Sequence, residues 1–192
     1  MCKKLYELSG LTAAEILTLC GEKSYPVNIE NILAKLGVKY GPLDFTDTER
    51  KFPDVVRRRG EILGAVTLIG DNVNIFYRQG CSENRKRFTL AHELAHCCLD
   101  AVSLNDRSHV EFRLDRESEN LKEQAANVFA GELLIPETSL RKLYNSLRAP
   151  VSDVMAQEFQ VSRSVMEARL NYLRLNFYTP VYNNYPPSEN YK

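Results

Sequence analysis

The chain has 192 residues, enough for one good core with a small appendage and too few for two full domains. Hydrophobic residues make up 44% and charged residues 26%, an ordinary globular mix. Lys plus Arg and Asp plus Glu both number 25, so bulk charge supplies no general attraction to nucleic acid or to an acidic membrane.

The opening MCKKLYELSG has the positive charges of a signal peptide without its apolar centre, and no apolar run approaches the length of a membrane span. A cytoplasmic protein is expected. The five cysteines, Cys2, Cys20, Cys81, Cys97 and Cys98, are odd in number and form no regular framework, which fits free thiols in a reducing compartment. Leu11 to Cys20 reads as a helix ended by Gly21, and Tyr25-Pro26 breaks the chain. Asn28 caps a second helix whose stripe is Ile29, Ile32, Leu33 and Leu36, closed by Gly37. Val38 to Tyr40 begins a strand. Gly41 to Pro53, with two prolines and many polar residues, is expected to be mostly irregular. The run Arg57-Arg58-Arg59 reads as a solvated surface, since no aromatic interleaving or wider basic field accompanies it.

Ile62 to Ile69 and Val73 to Tyr77 are rich in branched residues and flank Gly70-Asp71-Asn72, a hairpin signature. A helix from Glu83 to Leu99 should follow, with Ser82 as its cap. It carries Arg87 to Leu99, RFTLAHELAHCCL, and within it His92-Glu93-Leu94-Ala95-His96. Two histidines four apart on a helix project from one face and can share a metal, with Glu93 between them placed to serve as a base. Zinc held by two imidazoles needs a third protein ligand and an open position for water. The plain alternative is a buried amphipathic helix whose histidines only form hydrogen bonds. Cys97 points away from the histidine face, and Cys98 continues the apolar stripe as core.

Asp100 to Arg116 is polar and aperiodic, so a loop is expected, and Glu117 to Leu134 reads as a further helix stopped by Ile135-Pro136. Candidates for the third ligand are His109, whose spacing departs from the metzincin pattern, and the carboxylates Glu117, Glu119, Glu123 and Glu132. Spacing alone does not choose among the carboxylates. Ser139 to Leu147 should be helical, and Ser152 to Phe159, a turn near Gln160 to Ser162, and Ser164 to Leu173 read as a helix-turn-helix-like pair. The ending FYTPVYNNYPPSENYK reads as a flexible tail.

RFTLAHELAHCCL, followed by KEQAANVFAGELLIP from Lys122 to Pro136, resembles the ImmA/IrrE family of zinc metallopeptidases, with its RFTxAHExGH and ExxAN-FA-ELLxP patterns. PVNIENILAKLGV resembles the family's N-terminal helix, and Val161 to Leu170 its C-terminal helical segment, so the likeness spans about residues 25 to 173. The resemblance implies Glu123 as the third zinc ligand beside His92 and His96, and Glu93 as the catalytic base. Many members carry a second glutamate where this chain has Ala125, and glycine is commoner than Ala95 before the second histidine.

Asn127, one turn beyond Glu123, can accept a hydrogen bond from a ligand histidine or cap a neighbouring loop. Tyr77 and Arg78 are weak oxyanion candidates if their strand flanks the cleft.

The expected fold is therefore an α+β, zincin-like metallopeptidase with a small antiparallel or mixed sheet, an HExxH helix and C-terminal helix-turn-helix-like helices. Its expected divisions are a metallopeptidase domain over 1–138, a helical segment over 139–175 and a tail over 176–192. One Zn²⁺ is expected, although histidine and carboxylate donors accept other divalent ions. The resemblance implies a substrate as well: a helix-turn-helix transcriptional repressor, often encoded beside such proteins on prophages or mobile elements, whose cleavage releases gene expression. The rival expectation is a non-catalytic sensor or binding module that sequesters a repressor or binds DNA. Against DNA binding stand the neutral chain and the sparse basic residues, Arg163 and Arg169, near the second helix of the pair. No membrane partner is expected.

Overall fold

Local capping chemistry starts the fold. The computed structural model describes residues 5–51, 53, 61–69, 72–99 and 116–180. After a single turn, α1 (Leu5–Leu8), the Thr12 hydroxyl accepts from Glu15 N–H while the Glu15 carboxylate accepts from Thr12 N–H at 2.8 Å, a reciprocal capping box that opens α2 (Ala13–Leu19). Asn28 accepts from Asn31 N–H at 2.9 Å and starts α3 (Ile29–Leu36), which Gly37 ends at φ 71°. The left-handed geometry there suits a residue without a β-carbon. All four apolar stripe residues of α3 are buried.

The segment expected to be irregular is ordered at its start. Strand β1 (Lys39–Leu43) runs through Gly41-Pro42, and α4 (Thr46–Lys51) follows, its first turn tied by Thr46 N–H to the Asp44 carboxylate at 2.9 Å. Pro42 is tolerated because β1 is an edge strand, where a missing N–H breaks no second ladder. Strands β2 (Gly64–Ile69) and β3 (Asn72–Arg78) pair antiparallel, with Ile69 opposite Asn72. Strand β1 joins β3 in parallel, giving a mixed sheet of order β1-β3-β2. Arg57 to Arg59 and the turn residues Gly70 and Asp71 lie outside the described residues.

Helix α5 (Glu83–Leu99) packs on β3 and β2 through one side and on α6 (Arg116–Leu134) through another. Leu90, Ala91, Leu94, Ala95, Cys97 and Cys98 are all buried. Ala95 is fully buried, so its small side chain suits the close packing at this position. Helix α7 (Glu137–Ser146) starts directly after Pro136, two residues before the expected Ser139. The expected pair is present as α8 (Ser152–Phe159) and α9 (Arg163–Tyr172), joined by Gln160 at φ 52° and Val161-Ser162, with Ser162 capping α9. Their buried residues Met155, Phe159, Met166 and Leu170 belong to the same core cluster as Leu90 and Leu94.

Arg87, 7% exposed, ties these parts together. Its guanidinium donates to Val27 O at 2.9 Å and Gln160 O at 3.1 Å, joining the approach to α3, the motif helix and the α8–α9 turn. The beginning of the expected tail is held rather than loose. Tyr178 N–H donates to Pro150 O at 2.8 Å, Ser152 N–H to Tyr178 O at 2.9 Å, and the Tyr144 hydroxyl to Asn176 O at 2.7 Å. Residues 181–192 lie outside the described residues.

Candidate metal centre

Helices α5 and α6 lie side by side so that residues a turn apart on each face one another in opposite order: His96 meets Glu123, and His92 meets both Glu123 and Asn127. His92 Nε2 lies 3.2 Å from Glu123 Oε2, His96 Nε2 lies 3.7 Å from Glu123 Oε1, and the two Nε2 atoms are 3.1 Å apart. Among the described residues these three donors form the cluster able to hold a metal ion, with ligand atoms all within 4.8 Å of one another. Glu117 and Glu119 lie on α6 but their side chains, like all of His109, fall outside the described residues. Glu132 turns elsewhere, accepting from Arg169 Nη1 at 3.2 Å.

The donor set fits a cation on its own chemistry. Asn127 Oδ1 lies 3.0 Å from His92 Nδ1 and can only accept, so the His92 ring proton is assigned to Nδ1. The Nε2 lone pair then points at a carboxylate and at another ring nitrogen. Acceptors converging in this way are satisfied by a positive ion between them. The imidazoles of His92, and then of His96, beside it hold the Glu123 carboxyl well below the usual carboxylate range, so this donor is ionised at neutral pH.

Glu93 sits beside the cluster, its carboxylate packed beneath the start of β2. A β-carbon built on Gly64 would lie 2.6 Å from Glu93 Oε1 and 2.5 Å from Thr89 Cγ2. A side chain at position 64 would therefore require Thr89 and Glu93 to shift. Sequence reasoning missed this glycine; the one available signal was a glycine inside a branched strand, which often marks close approach of another group. Burial is the main influence raising the Glu93 carboxyl above its ordinary range, with His92 and His96 pulling it down and Glu123 adding to the rise.

Tyr77 and Arg78 lie on β3, the central strand, paired on both sides, so their strand is not the edge flanking the cleft; that edge is β2. The Arg78 guanidinium pairs with Glu49 and donates from Nε to Ile62 O at 2.9 Å, while Lys86 Nζ lies 5.5 Å above the Tyr77 ring. Both side chains are engaged with neighbours other than the His-His-Glu cluster. Cys97 and Cys98 are buried free thiols, and burial pushes both up, Cys98 to about 12, which suits packing rather than ligation.

Residues 34–171, most of the chain, match the family model of the IrrE N-terminal-like domain, Peptidase_M78. No curated protein matches the chain. Among the described residues, no helix is long and apolar enough to cross a membrane.

Proposed function

The chain belongs to the ImmA/IrrE family of metallopeptidases through its IrrE N-terminal-like domain, and on that premise we propose that it is a zinc-dependent endopeptidase that cleaves a specific helix-turn-helix transcriptional repressor and so relieves repression. The observation that carries the reading is the convergence of His92 Nε2, His96 Nε2 and the Glu123 carboxylate on one point, with the Glu93 carboxylate alongside. In this reading His92, His96 and Glu123 hold the ion, and Asn127 fixes the His92 ring. A divalent ion there supplies Lewis-acid polarisation and lowers the pKa of water to about 7. Glu93 takes the attacking water's proton and returns it to the leaving amine. Gly64 leaves the space that the Glu93 carboxylate occupies against β2.

Strand β2 packs against α5, and its outer edge, unpaired among the described residues, can take an extended peptide by strand addition. The α8–α9 pair serves in this reading as part of the cleft wall: its core-facing residues are spent on packing, and α9 lies against α6. A neutral chain gives such a pair little means of holding DNA.

The test is to look for a helix-turn-helix protein encoded beside this one, to mix it with the purified, zinc-loaded protein with and without chelator, and to repeat the assay with Glu93→Gln. Cleavage that the chelator stops, and that Glu93→Gln abolishes while its zinc content stays intact, is the expected result. Release of the repressor in cells by Glu93→Gln would favour sequestration without cleavage instead.

A further inference from the structure

On the inner face of β2, side-chain size falls to nothing where the strand reaches the motif helix. Alternate residues of a strand share a face, so Leu68, Val66 and Gly64 follow one another along it. Leu68 and Val66 pack against the core, and at Gly64 the place of the next side chain is taken by α5. Two residues of α5, Thr89 and Glu93, lie one turn apart on the same helix face. A β-carbon on Gly64 would stand 2.5 Å from the Thr89 methyl, 2.6 Å from Glu93 Oε1 and 3.0 Å from Glu93 Cγ, so the methyl and the carboxyl arm meet β2 at one point. The contact is firm on both sides. Arg78 N–H donates to Leu63 O at 2.8 Å and its guanidinium to Ile62 O at 2.9 Å, tying the residues just before Gly64 to the central strand. Thr89 is 5% exposed, and a β-branched side chain on a helix has few χ1 positions open to it. Glu93 has several rotatable bonds to restrain, and side chains on a helix lean toward its N-terminus, which carries the Glu93 arm back over Thr89.

We propose that Thr89 is a positioning residue: its methyl, wedged against Gly64, closes the space beside the Glu93 arm and holds the carboxylate in one rotamer for proton transfer. The proposal deepens the peptidase reading above and rests on it. Serine at position 89 would keep the hydroxyl and alanine the helix, but both remove the methyl and open a gap into which the Glu93 arm can swing. Valine keeps a methyl in that place and lacks only the hydroxyl. Thr89 acts here without touching ion or substrate, so the effect of changing it must pass through Glu93.

Binding of a small chelator reads the placement of Glu93 separately from cleavage. The probe is acetohydroxamate, titrated into the zinc-loaded full-length protein. It chelates through two oxygens and presents a polar hydrogen that a neighbouring carboxylate accepts, so Glu93→Ala should weaken it about tenfold or more. Thr89→Ser and Thr89→Ala should each weaken it about fivefold, within the coupling seen between side chains in contact, and Thr89→Val should recover most of that loss. Made on top of Glu93→Ala, Thr89→Ser should change nothing further, which a general loosening of the helix would not reproduce. Zinc affinity, read by competition with a chelating dye, should stay near that of the parent in every Thr89 variant. An effect of Thr89→Ser that persists without Glu93, a loss in Thr89→Val equal to that in Thr89→Ser, or a probe that binds the parent and Glu93→Ala alike would overturn the proposal. Failure of the peptidase reading shows differently, as a protein that follows the whole pattern with the probe yet leaves the helix-turn-helix protein uncut; the placement of Glu93 by Thr89 then stands and its use in cleavage falls.

Discussion

Gly64, the first residue of β2, lies so close to Glu93 that a β-carbon there would stand 2.6 Å from the carboxylate oxygen. The strand and the helix thus meet where one carries no side chain and the other its acid. Replacing Gly64 by alanine must move the Thr89 methyl, 2.5 Å away, together with the Glu93 carboxylate, or else the strand. Displacement of a proton-transfer group by about 1 Å costs on the order of a hundredfold in rate. Gly64→Ala should therefore lower kcat about a hundredfold while zinc affinity, read by competition with a chelating dye, stays near that of the parent. An unchanged kcat would show that Glu93 tolerates the shift.

The hydrogen bond from His92 Nδ1 to Asn127 Oδ1 sets the ring's orientation and leaves Nε2 free to bind an ion. Removing such a partner typically costs about 10–100-fold in metal affinity. Asn127→Ala is expected to fall in that range by zinc titration, with little change in helix content by circular dichroism.

Arg87 joins three distant segments by donating to the backbone carbonyls of Val27 and Gln160. Truncation leaves the buried Val27 carbonyl and the part-buried Gln160 carbonyl without this donor, and Arg87→Ala should lose about 2–4 kcal/mol of stability in urea unfolding. Arg87→Lys should recover only part of that loss, because an ammonium cannot span two carbonyls in the planar fork of a guanidinium. Full recovery by lysine would show that charge alone matters there.

Burial raises the Cys97 and Cys98 thiols, so their reactive thiolate form is scarce at pH 8 and grows only as the pH is taken far higher. In a Cys2→Ser background, a thiol reagent at pH 8 should label the partly exposed Cys81 first and reach Cys97 and Cys98 only on unfolding, with mass spectrometry locating each label. Rapid labelling of Cys97 in the folded protein would mean that α5 opens locally.

Periodic and punctuated segments were readable from the chain because their cause is local. Asn28 and Gly37 bound α3 by capping chemistry, and α5 runs from Glu83 to Leu99 as its stripe predicts. The Gly41–Leu43 strand was hidden because Gly and Pro oppose strand structure on their own, and pairing with β3 overrides that preference. The start of α7 was misread by two residues because Pro136 both ends one helix and introduces the next.

The sequence by itself determined the chemistry on offer: two histidines on one helical face with a glutamate between them, and a second helix rich in carboxylates. Which carboxylate meets the histidines is a property of packing. Periodicity fixes which side chains share a face, but the approach and direction of α6 on α5 set Glu123 against His92 and His96, and send Glu132 to Arg169. The same holds for the meeting of Gly64 with Thr89 and Glu93. It arises where elements distant in the chain come into van der Waals contact, and such contact is decided by shapes that no single stretch of sequence contains.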